Sequence, residues 1–271
     1  MHITSPSSRV SHSGSVSIIT GSSGGEYAGE IALQAGSSDD GTPGSIHLAA
    51  GNSSTSGGYV QIAAGNGTGE VAVGGSITME AGSGRSTFDT AGGKGGDIVL
   101  SGGQLRGEGQ DEYGGSVQIF GGDALASSGG SLFLFSGSSQ HGSSGTIDIS
   151  SNPSHMTGDV SIGSGEAIHG DSGSLILTTG HAPEASGSIN IRVGTGSSSN
   201  GGDVNIAAGS SRGKSAHGGT VYMLSGSSES ASNGGIVVGS IDVTETSSTP
   251  SGSISLATGV ANKASGNGKL F

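Results

Sequence analysis

A single phrase recurs along almost the whole chain: a glycine, a small polar residue, then apolar–any–apolar–any–small–glycine. It reads Gly14-Ser-Val-Ser-Ile-Ile-Thr-Gly21, then Gly29-Glu-Ile-Ala-Leu-Gln-Ala-Gly36, then Gly44-Ser-Ile-His-Leu-Ala-Ala-Gly51. It is still legible at Gly252-Ser-Ile-Ser-Leu-Ala-Thr-Gly259. Sixteen such units can be counted, most of them starting about 13 to 17 residues apart. Apolar residues at alternate positions mark strands, and short strands at one regular spacing mark a repeat architecture.

The spacing predicts an all-β fold, a repetitive parallel β-solenoid of about 16 short strand repeats of ~15 residues. Residues 1–13 read as a lead-in, 14–259 as one repeat array, and 260–271 as a tail or partial repeat. The inward pairs run from Val16/Ile18, Ile31/Leu33 and Ile46/Leu48 to Ile254/Leu256. Unit fifteen reads equally as Ile236/Val238 or Ile241/Val243. A coil is completed either by one unit or by two, the latter with strands in facing sheets. The next inward position is small, as at Thr20, Ala35, Ala50, Ala64, Ala81, Gly102, Gly121 and Ser136. A narrowing interior would require that, and the flanking glycines suit bends of positive φ. Turn-forming runs such as Ser37-Ser-Asp-Asp-Gly-Thr-Pro43 separate the units.

Composition sets a competing expectation. Fifty-eight glycines, no Cys, no Trp and 30% apolar residues leave little for a conventional core. Gly and Ser at this level normally give flexible chain. The bracketed alternation argues the other way, because a disordered tract has no reason to repeat it.

Charge narrows the partners. A net charge of -12 without any Lys/Arg cluster opposes nucleic acid and anionic membrane surfaces. The apolar runs are far too short to span a bilayer. The opening Met1-His-Ile-Thr-Ser-Pro6 has neither the basic start nor the apolar centre of a signal peptide. An extracellular or cell-surface setting is suggested by composition and by the glycosylation sequons at Asn52 and Asn66.

Three histidines form the one chemical constellation. His141, His155 and His169 follow the first apolar residue of three successive units by nearly equal distances, with Glu166 and Asp171 close in sequence. Stacked loops would bring three imidazoles to one edge, a donor set for a divalent metal such as Zn, Ni or Cu. Calcium is less favoured. Gly96-Asp97, Gly158-Asp159 and Gly202-Asp203 occur, but without the tandem nonapeptide that calcium-binding coils need. The acidic run Glu108-Gly-Gln-Asp-Glu112 reads as a solvated loop.

No catalytic arrangement or organic cofactor is indicated. Acid–base pairs are sparse, and no serine sits in a nucleophile elbow. Ice binding would need a regular outward row, whereas Ser17, Ala32, His47, Gln61 and Thr78 follow no rule. Phe120, Phe133 and Phe135 fall outward where polar residues were due, forming an apolar patch suited to lateral contact.

The phrase Gly-Ser-φ-x-φ-x-Ala/Ser-Gly-Ser-Ser resembles the Gly/Ser-rich β-solenoid repeats of large surface, adhesin-like and filament-forming proteins. That resemblance implies extracellular structural work by a filament, stalk or fibre that self-associates end to end or laterally. The alternative it implies is an adhesive module with one face for ice, carbohydrate or a mineral surface.

Overall fold

The computed structural model describes residues 2–10, 12–85, 92–107, 109, 112–197, 200–240 and 251–259. The alternative pair Ile241/Val243 and the tail 260–271 lie outside them. Two compact units divide the chain, Met1–Thr146 and Ile147–Phe271.

The expected all-β parallel solenoid is not what these residues form. Among the described residues there is no strand, no sheet and no helix, and no side chain is buried. The accessible surface is 27494 Å². A globular protein of 25.8 kDa would expose roughly 10,500 Å² and its fully unfolded chain roughly 37,000 Å². The sheet is missing for a physical reason. Each unit offers only one narrow pair of aliphatics, and glycine-rich backbone loses the most entropy when it is fixed.

Local alternation survives without the ladder. The first apolar residue of each phrase, from Val16 to Ile254, is 49–57% exposed, whereas the outward Val99, Phe133, Ile176, Tyr222 and Val237 are 72–95% exposed. Phe133 and Phe135 confirm the two-residue period, their rings stacking with centroids 6.0 Å apart and planes inclined by 14°. The phrases are therefore extended and two-faced, but unpaired.

Regular backbone hydrogen bonds occur instead at the joints between phrases. In the first unit the Gly44 N–H donates to the Gly36 carbonyl at 2.9 Å, Gly58 to Gly51 at 2.9 Å, and Gly75 to Gly65 at 2.9 Å. Gly96 to Gly82, Gly115 to Gly103, Gly130 to Gly122 and Gly145 to Gly137 continue the series. The second unit has Gly219 to Gly209 at 2.8 Å and Gly234 to Gly226 at 3.0 Å. Each bond closes one polar loop, joining the glycine that ends a phrase to the glycine that opens the next.

At most closures the small residue before the ending glycine touches the glycine that opens the next phrase, although a small slot alone does not ensure the bond: Ser164 lies beside Gly173 without one. A methyl placed on Gly44 would lie 3.1 Å from the Ala35 Cβ, and one on Gly58 3.2 Å from the Ala50 Cβ. Ala64, Ala81 and Ala208 stand in the same relation to Gly75, Gly96 and Gly219. Where glycine takes the slot, the neighbouring backbone moves into the vacated space: a methyl on Gly102 would collide with the Gly115 carbonyl oxygen. Where the slot is β-branched, the phrase ends come together without the bond. Thr20 and Val193 set a γ-methyl 3.2 and 2.9 Å from where a Cβ on Gly29 and Gly202 would stand. Ala35, Ala64, Ala81, Gly102 and Ser136, all in this slot, are among the few half-buried residues.

Two sequence readings change accordingly. The small slot is explained by contact with the next opening glycine, not by a tapering interior. The joint glycines are needed for close approach, not for positive φ. Among the described residues the one positive-φ glycine is Gly170, at 84°, in a bend between His169 and Asp171. Replacing Gly170 with Val is expected to cost about 1 kcal/mol or more locally and to abolish that bend. Backbone scalar couplings across residues 168–171 would report it.

Candidate functional site

The three histidines are placed in loop bends, exposed to solvent. His141 belongs to the first unit, and His155 and His169 to the second. Glu166 and Asp171 are exposed as well. Among the described residues no three His, Asp or Glu side chains gather into a group that could hold a metal ion. The proximity expected from stacked loops depended on the parallel sheet, which is not formed.

The aspartates after glycine behave as solvated surface. Asp97 lies 3.8 Å from the Lys94 ammonium, both largely exposed, and such a pair is worth little. Asp159 and Asp203 are exposed. Residues 108, 110 and 111 of the acidic run lie outside the described residues. Asn52 and Asn66 are both exposed, as a glycosylation acceptor must be. Beside Asn52, the Ser53 hydroxyl receives the Thr55 N–H at 3.2 Å, a local turn that leaves the Asn side chain outward. Among the described residues, no helix is long and apolar enough to cross a membrane.

The aromatic patch is the site with definite geometry. Phe133 and Phe135 share one face of an extended segment, and Leu132 and Leu134 take the other. Phe120 is 79% exposed on an earlier phrase. The flanking closures, Gly130 to Gly122 and Gly145 to Gly137, fix the two ends of this stretch. Sequence reasoning found the phenylalanines, but it missed that the same segment is apolar on both faces and keeps its backbone unpaired.

No family model matches the chain, and neither the curated proteins nor the solved structures contain a similar one.

Proposed function

We propose that this chain is a structural repeat polypeptide that works by associating with other copies of itself. The supporting observation is the exposure of the aliphatic pair in every described phrase. Among the described residues a single chain buries none of them, whereas many chains together could remove them from water. The repeated phrase supplies the same association site many times over, so weak contacts add up along the chain.

Such a chain should assemble in a concentration-dependent way. Electron microscopy and sedimentation of the purified protein, from ~1 to several hundred μM, are expected to show fibres or large assemblies above a threshold. A species that stays monomeric over that range would refute self-association. Binding of that monomer to a glycan array or an ice surface would then favour the adhesive alternative.

A further inference from the structure

We infer that residues 131–136, Ser-Leu-Phe-Leu-Phe-Ser, pair between copies with the same segment of a second chain, and that this pairing starts assembly. The inference rests on the self-association proposed above and names its contact.

Its composition singles out this segment. Its four central residues are apolar without interruption, whereas most phrases alternate apolar with polar. A strand apolar on both faces is suited to burial on both. It contains no charge, Pro or Gly, and no Asp, Glu, Lys or Arg occurs anywhere in 124–147. Uncharged six-residue segments of high β-propensity are those that stack like on like in dry interfaces.

The backbone is also available. Among the described residues no hydrogen bond reaches the main chain of 131–136, since both neighbouring closures lie outside it. An extended segment with unpaired N–H and C=O groups on both edges is a template for another strand. Its stacked Phe133 and Phe135 present a flat aromatic face, and Leu132 and Leu134 an aliphatic one.

A second copy is the partner that this chemistry fits. The whole chain carries -12, so two copies repel wherever their acidic loops meet. Pairing through the charge-free stretch keeps those loops apart. Register follows from side-chain identity: Phe over Phe and Leu over Leu satisfy both faces together. The comparable run Thr220-Val-Tyr-Met-Leu-Ser225 has a phenol on its outward face, which is harder to bury without a hydrogen-bond partner.

The test uses the full chain. The double variant F133S/F135S is expected to raise the threshold for assembly at least about tenfold, since two aromatic side chains no longer leave water. Val71→Ser, at an exposed loop position outside the patch, should stay within about twofold of the parent, as surface substitutions usually do. The absence of native cysteine allows a second readout. Ser131→Cys should cross-link copies on mild oxidation of the assembled protein, while Ser210→Cys, in a loop far along the sequence, should not. An unchanged threshold for F133S/F135S would overturn the inference and leave self-association standing through other phrases. Equal cross-linking at both cysteines would likewise overturn it. A parent chain that never assembles would remove both this contact and the function proposed above.

Discussion

Titrating the dilute chain with urea is expected to give a shallow, nearly straight change in ellipticity with no sigmoidal step. Cooperative unfolding needs surface that becomes exposed all at once. From the 27494 Å² already open to solvent, complete unfolding would add only roughly 10,000 Å², against roughly 27,000 Å² for a globular protein of this mass. Since denaturant sensitivity scales with that difference, the slope should be no more than about two-fifths of the globular value. Amide exchange should agree. Protection is expected only at the joint glycines, and by less than about tenfold, because each closure is a single exposed bond. A sharp transition with strongly protected amides in the phrases would mean that a buried core exists, and the described architecture would be wrong.

The second large effect concerns the joints. Ala64→Val is expected to open the Gly75 to Gly65 closure, because its γ-methyls would occupy the ground where the two backbones meet, as Val193 does against Gly202. Val193→Ala is expected to do the reverse and let the Gly202 N–H reach the Gly194 carbonyl. Ala35, Ala50, Ala64, Ala81 and Ala208 all accompany a closure, while Thr20, Thr179 and Val193 do not. Through-bond couplings across the N–H···O=C bridge would read each state directly. The Gly75 coupling should vanish in the first variant, and a Gly202 coupling should appear in the second. If both variants leave the couplings unchanged, slot size does not control the closure.

How much could be read in advance differs between local and long-range structure. The alternation in Val16-Ser-Ile18 or Leu132-Phe-Leu134 was legible, because side-chain direction along extended backbone depends only on near neighbours. The small slots at Ala35 and Ala64 were legible too, although their reason was not. What failed was the step from phrase to sheet. Parallel pairing requires each phrase to find the next through a flexible loop, and two aliphatics per unit set a narrow strip against that loss. Repetition shows that the phrases are equivalent. It does not show that they pair within one chain. The alignment of His141, His155 and His169 was argued from stacked loops, and without the sheet that argument no longer brings loops so distant in sequence together. The segment 131–136 was half visible: its two phenylalanines stood out together with Phe120, but the unpaired state of its main chain could be read only from the structure.

The glycine closures also carry a mechanical consequence. Each one short-circuits a loop, from the small one between Gly51 and Gly58 to the long one between Gly82 and Gly96. Pulled from both ends, the polypeptide would lose these clasps one by one, and each release would pay out roughly 20 to 40 Å of stored slack. A fibre strung from such links would stretch before its strong contacts break, and would recoil as the clasps re-form.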